Sequence, residues 1–226
     1  MNFVKNSNRD SHATFSASKY SWLRYDQDKM VESILSQYRK AIGTEIHDYA
    51  SKEIDLEHKK TSGKSIKEGI ESYIYEKYYD NNYCDVNIYG KRLLKFVRYY
   101  LPKEVYETVK CYINDAIAFK MSTEIKLEFN ELFHGTADAI SFNKKQLRIH
   151  DLKTGSTPAN IEQLMIYAAF FCLMYKYKPE TIDIELRLYQ NAEVLYHIPD
   201  PKIIADIMEK IIADNKYFED IAIMEV

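Results

Sequence analysis

Asp138, Asp151 and Lys153 stand within "HGTADAISFNKKQLRIHDLKTG", residues 134–155. Two carboxylates and an ammonium aimed at one point form a recognisable chemical unit. Paired carboxylates repel unless a cation lies between them. Oxygen donors select a hard divalent ion, Mg²⁺ or Mn²⁺, which keeps some waters and takes a phosphate oxygen as a further ligand. A lysine two residues beyond the second carboxylate can orient an attacking water or neutralise charge that develops on a phosphorane. The set therefore predicts metal-assisted phosphoryl chemistry. A plain ion pair between Asp151 and Lys153 at a strand end would leave Asp138 unexplained.

Those side chains converge only if the right elements carry them. The run "TEIKLEFNELFHGTADAISFNKKQLRIHDLKTG" alternates apolar and polar residues in three short stretches, the mark of strands, with a turn at Asn143-Lys144-Lys145. Side chains alternate faces along a strand, so Asp151 and Lys153 point together, away from His150 and Leu152. The hairpin sets Asp138 level with Asp151. Gly155 is expected to let the backbone turn tightly away and keep the strand end open. Glu124 and Glu128 share one parity on the first strand, and either can add an acidic group; alternation does not choose between them. His134 has the parity of Asp138 and reads as a rim residue or supporting donor.

Further elements flank this hairpin. "SASKYSWLRYDQDKMVESILSQYRKAIGTEIHDYASKEI" begins with serines able to cap a turn. It then carries Leu35, Tyr38, Ile42, Ile46 and Tyr49 at spacings of three and four, an amphipathic helix ending near Ile54. After the polar break "KKTSGK", residues 66–120 read as mostly helical, in segments separated by "DNNYCDVN" and Pro102. "ANIEQLMIYAAFFCLMYKY" is a long apolar helix closed by Pro179. "TIDIELRLYQ" and "AEVLYHI" are strands joined at Asn191, and Asp200-Pro201 opens a final amphipathic helix.

A chain of 226 residues buries one sizeable core, so residues 1–226 are expected to form a single domain with a mostly helical insertion at about 60–121. Hydrophobic residues at 46% and charged residues at 29% exclude a disordered or membrane chain. The longest apolar run, "MIYAAFFCLMY", stops short of the ~20 residues that span a bilayer. "MNFVKNSNRDSH" lacks the pattern of a secretory signal, so a location inside the cell is expected. The net charge of −3 supplies no overall basic field, so a polyanion would have to be held by a local patch. Cys84, Cys111 and Cys172 have no C-x-x-C spacing, so neither a disulfide framework nor an iron–sulfur cluster is expected. No G-x-x-x-x-G-K-[ST] phosphate loop occurs, so any unwinding is expected to come from elsewhere.

"GTADAI", then "DLKTG" after a hairpin, then "QLMIY", with "GTEIH" upstream, resembles the PD-(D/E)XK nuclease superfamily. Within it the pattern most resembles the RecB-like exonucleases, which include phage-encoded and CRISPR-associated members. The likeness covers roughly residues 16–56 and 122–190. It implies an α/β fold with a restriction-endonuclease-like core, a mixed central β-sheet flanked by helices, carrying the helical insertion. It also implies metal-dependent hydrolysis of DNA phosphodiesters. By the same resemblance Asp138 and Asp151 are metal-ligating carboxylates, His47 and the backbone carbonyl of Leu152 are further ligands, and Lys153 is the catalytic lysine. Gln163 and Tyr167, four apart and so on one helical face, would hold the DNA backbone. Gly43 and Ala50, on the face of His47, are small enough to let that helix approach a sheet closely.

The expectation is a Mg²⁺- or Mn²⁺-dependent DNA exonuclease without an iron–sulfur cluster, leaving a 3′-hydroxyl and a 5′-phosphate. Its setting would be recombination, repair or phage DNA processing in the cytoplasm of a bacterial or phage-infected cell. Lys19, Arg24 and the basic residues of "GKRLLKFVR" are candidate phosphate contacts. The expected partners are DNA and a recombination or helicase protein; no membrane is involved, and a homo-oligomer is compatible. Two other readings stand beside it: a structure- or sequence-selective endonuclease of the same fold, and a non-catalytic DNA-binding or assembly module. The complete His/Asp/Asp/Lys set counts against the module.

Overall fold

The longest periodic stretch folds as the longest helix. The structure, a computed structural model that describes residues 15–224, begins with a 3-10 helix, Ala17–Arg24, followed by α1, Gln27–Asp55. The N-terminal stretch read for a secretory signal, residues 1–12, lies outside the described residues. The serines do not cap α1. Asp26 does, its carboxylate accepting the Lys29 N–H at 2.8 Å and so satisfying one of the free amides of the first turn, with its charge placed at the positive end of the helix. Of the stripe that the spacing predicts, Ile42, Ile46 and Tyr49 are buried, while Leu35 and Tyr38 are half-buried and pack against that core. Each wholly buried isoleucine contributes about 1.5–3 kcal/mol.

Three helices come next: α2, Gly63–Lys77, entered through a capping box at Ser62 and Ser65; α3, Ile88–Tyr99, capped by Asn87; and α4, Lys103–Ala118, after Pro102. The segment read as a mere separator between the first two is a small antiparallel hairpin, β1, Tyr79–Asp80, with β2, Asp85–Val86. Its turn forms because the Asp80 carboxylate accepts the Asn82 N–H at 2.9 Å.

The strands are β3, Ser122–Glu128; β4, His134–Asn143; β5, Gln146–Leu152; β6, Asp183–Gln190; and β7, Glu193–His197. Helix α5, Glu162–Tyr175, links β5 to β6, and α6, Pro201–Met224, closes the described chain. Helix α5 stops four residues before Pro179, because Lys176 takes the left-handed conformation (φ 59°) and its N–H returns to the Cys172 carbonyl. The sheet order is β3-β4-β5-β6-β7, with β5 and β6 parallel and the other pairs antiparallel. Only the parallel pair needs a crossover, and α5 provides it. The β4–β5 turn is tighter than expected. Asn143 pairs with Gln146, and Lys144 and Lys145, at φ 50° and 66°, make a two-residue turn.

Helices cover both faces. On one side α1 to α4 pack with Ala139, Leu152 and Tyr189; on the other, α5 and α6 pack with Leu127, Ala137, Ile140, Leu147, Ile149, Leu186 and Leu188. Strict alternation fails at one place. Ala137 and Ile140, three residues apart, both join the α5 side, whereas Ala139 joins the α1 side. The β3–β4 ladder pairs Thr123 with Ala139 and Ile125 with Ala137 but skips Glu124 and Asp138 between them. Glu124 has a left-handed backbone, φ 52°, which costs a non-glycine residue about 1–2 kcal/mol. The pleat inverts here, and neither acidic side chain belongs to a core cluster.

Candidate active site

Helix α1 brings His47 over this interruption. Gly43, one turn before His47, lets the helix come close: a Cβ there would lie 3.1 Å from Thr154 Oγ1, just past the end of β5. His47 Nδ1 is 3.4 Å from Asp138 Oδ2, and the same oxygen accepts the Leu152 N–H at 2.8 Å. His47, Glu124 and Asp138 each offer a donor atom within 4.8 Å of the others. Three elements, α1, β3 and β4, therefore meet at one cluster. Of the two glutamates that alternation left open, Glu124 is the one present. Its signal in the structure is the left-handed backbone, which strand periodicity cannot announce.

Asp151 lies beside this cluster rather than within it. It is 1% exposed, and the Lys153 ammonium sits 3.1 Å from Oδ1 and 2.9 Å from Oδ2. Only the Oδ1 contact has hydrogen-bond geometry; Oδ2 is buried without a hydrogen-bond partner. Burial and then the charge of Asp138 push the Asp151 carboxyl up to about 6, against the pull of Lys153. Glu124 is raised by the same two causes in the same order. For His47 burial disfavours the cation, yet the hydrogen bond to Asp138 and the charges of Asp138, Asp151 and Glu124 outweigh it and raise the imidazole. Burial is the largest influence on each group; the negative potential shared among these neighbours adds to it for the two carboxyls and outweighs it for the imidazole.

This donor set fits a divalent cation. Nitrogen and oxygen donors converge, a buried oxygen of Asp151 has no hydrogen-bond partner among the described residues, and the surplus charge is negative.

Lys153 is held from its other side. It donates to Gln163 Oε1 at 3.0 Å, and Gln163 Nε2 donates to the Tyr167 hydroxyl at 2.8 Å, one turn along α5. The structure thus connects the two α5 residues to the acidic groups through the lysine. At Leu152 the peptide N–H donates to Asp138 Oδ2.

Other expected residues are elsewhere. Glu128 lies at the far end of β3, paired with Lys126 and opposite His134, so neither Glu128 nor His134 joins the cluster. Lys19 and Arg24 are exposed on the first 3-10 helix; Lys19 lines a separate groove with Trp22, Tyr25 and Lys29, and neither lines the cleft at His47. In "GKRLLKFVR", Lys91 pairs with Asp85 and Arg98 with Glu71. Gly155 does not have a positive φ, and a Cβ there would meet nothing within 4 Å. The turn after β5 therefore makes no use of glycine; Gln190 Nε2 ties it down by donating to the Gly155 carbonyl at 2.7 Å.

The cluster opens into a cleft of about 920 Å³ lined by α1, the α3–α4 corner and residues 154–156. Lys40, Gly43, Thr44 and His47 follow helical spacing along α1, so that wall was readable from the sequence. Phe96 and Tyr100 opposite were not, since nothing local ties them to the strand motif.

A family model of the PD-(D/E)XK nuclease superfamily matches residues 10–223. No curated protein matches the chain.

Proposed function

Since the chain belongs to the PD-(D/E)XK nuclease superfamily, we propose that it is a Mg²⁺- or Mn²⁺-dependent DNA exonuclease whose site is His47, Glu124, Asp138, Asp151 and Lys153. The observation that carries this reading is the convergence of an imidazole, three carboxylates and an ammonium, from α1, β3, β4, β5 and the residue that follows β5, beside one cleft. When bound, the divalent ion supplies Lewis-acid polarisation of the scissile phosphate and lowers the pKa of water. His47, Glu124, Asp138 and Asp151 would hold it, with the Leu152 carbonyl as a further donor at the strand end.

The protein's own groups do the rest. Lys153, fixed between Asp151 and Gln163, presents its remaining proton to the attacking water and to the charge growing on the phosphate. Gln163 orients that ammonium, and Tyr167 orients Gln163. Both also offer polar atoms to the DNA backbone. In-line attack on phosphorus then breaks the bond to the 3′-oxygen, leaving a 3′-hydroxyl and a 5′-phosphate. Residues 60–121 are read as an insertion within one nuclease domain. The cellular setting is DNA recombination, repair or phage DNA processing, with unwinding by a partner helicase.

Linear and covalently closed circular DNA, incubated with and without Mn²⁺, provide the test. Metal-dependent loss of linear DNA alone is expected, with Asp151→Asn and Lys153→Ala each lowering the rate by at least about 100-fold. Cleavage of the closed circle would make the protein an endonuclease, and full activity in either variant would refute the mechanism.

A further inference from the structure

The wall of the cleft opposite α1 is an aromatic step. Helix α3 ends where the Tyr100 and Leu101 N–H groups both return to the Phe96 carbonyl, at 2.8 and 3.2 Å, and Pro102 then starts α4 in a new direction. This corner carries Phe96, Tyr100, Leu101 and Pro102 into the same cleft as His47, Glu124 and Asp138. Phe96 is buried and stacks on Tyr100, with ring centroids 5.7 Å apart and planes 29° apart, and Tyr38 of α1 backs it at 6.3 Å. Tyr100 itself is 56% exposed. The step is thus supported from behind and open in front.

The cations of the cleft are few. Arg39 is tied to Glu32, and His47 belongs to the acidic cluster. Lys40 is the lining cation with no carboxylate partner among the described residues. Duplex DNA is held chiefly by many phosphate contacts along its two backbones, which one free lysine among Glu32, Asp48, Glu124 and Asp138 does not supply. A single strand needs fewer, because its bases stack on aromatic rings and every base has a face to stack.

We propose that the cleft takes a single DNA strand, with Tyr100 as the platform for one base and Lys40 as a phosphate contact. The proposal rests on the nuclease reading and names its substrate class. The α3–α4 corner, part of the insertion, is then a specificity element.

Fluorescence anisotropy tests it, with Ca²⁺ replacing the catalytic metal. The probes are a labelled oligothymidylate and a duplex whose ends are both closed by hairpins. Wild-type protein should bind the single strand more tightly. Tyr100→Ala should weaken that binding by roughly 5- to 100-fold and leave the closed duplex unchanged. Tyr100→Phe, which keeps the ring, should stay near wild type. Lys40→Ala should reduce the slope of log affinity against log salt by about 0.7. Equal losses on both probes, wild-type preference for the duplex, or Tyr100→Phe as weak as Tyr100→Ala would each overturn the proposal. So would thymidine monophosphate competing as well as the strand. A protein that cuts linear DNA without favouring single strands refutes this inference alone. One that binds strands through Tyr100 yet cuts nothing refutes the nuclease reading alone.

Discussion

Glu124 carries two costs that its neighbours on β3 do not: a left-handed backbone and a place beside two other carboxylates. Strain of this kind persists where something else requires the geometry. Glycine adopts the same φ freely and brings no charge, so Glu124→Gly is expected to stabilise the metal-free protein by about 1 kcal/mol in urea unfolding. The same variant should weaken Mn²⁺ binding by roughly 10- to 100-fold in calorimetric titration. Glu128→Gln should change neither, because Glu128 sits with Lys126 away from the cluster. A stabilised Glu124→Gly with unaltered Mn²⁺ affinity would leave the strain without a function. At this scale the strand motif announced Asp138, Asp151 and Lys153 through type and spacing. The choice between the glutamates was invisible, because it depends on one backbone angle.

Helix α1 positions His47 by how closely it lies to the end of β5, and Gly43 sets that distance through Thr154. Alanine at position 43 recovers about 1 kcal/mol of helix propensity while its Cβ presses on Thr154 Oγ1 at 3.1 Å, so Gly43→Ala should be nearly neutral in stability. Gly43→Leu cannot fit without moving the helix. It should cost about 1–3 kcal/mol in thermal unfolding and weaken Mn²⁺ binding as His47 leaves Asp138. If Gly43→Leu binds Mn²⁺ like the wild type, the helix position is not what places the imidazole. On α5, Tyr167→Phe keeps the ring and removes only the hydroxyl that Gln163 reaches. It should lower the cleavage rate through Lys153 while shifting stability by no more than about 1 kcal/mol. The small residue facing the sheet and the four-residue spacing of Gln163 and Tyr167 were legible. The relay through Lys153 was not, since it joins residues from two elements.

Across the whole molecule, β5, β6 and α4 are tied by a partly buried network distant in role from the cleft. The Tyr189 hydroxyl donates to Asp115 at 2.7 Å, so the His150 Nδ1–H donates to Tyr189 at 3.2 Å, and Arg187 bonds Asp115 at 2.9 Å. Among the described residues His150 Nε2 has no hydrogen-bond partner. Burial and then the charges of Arg187 and Arg148 push the His150 imidazole down to about 3. The unfolded chain protonates this histidine near 6.5 while the folded one does not, so it binds more protons between those values. Stability from this group is therefore complete above about pH 6.5 and is lost as pH falls toward 3, at up to about 1.4 kcal/mol per pH unit. Urea unfolding at pH 7 and pH 5 should show the drop in wild type and a smaller one in His150→Phe. Equal drops would remove His150 as the cause. Cys172 is buried, Cys111 half-buried and Cys84 exposed, each a free thiol. Among the described residues no helix is long and apolar enough to cross a membrane.

Type, spacing and periodicity by themselves determined the order of the main helices and strands, though not the small β1–β2 hairpin, and the α/β class, the superfamily motif and the acidic hairpin, because these are local properties of a chain. The tertiary structure decided which glutamate faces His47, that Lys153 is held from α5, and that the α3–α4 corner walls the cleft. It also placed Glu128 and His134 at the far end of the β3–β4 ladder and Lys19 and Arg24 on the 3-10 helix, all outside the cluster. Each of those outcomes depends on a backbone inversion or on how far one packed element stands from another, and no neighbouring residue in the sequence encodes either distance.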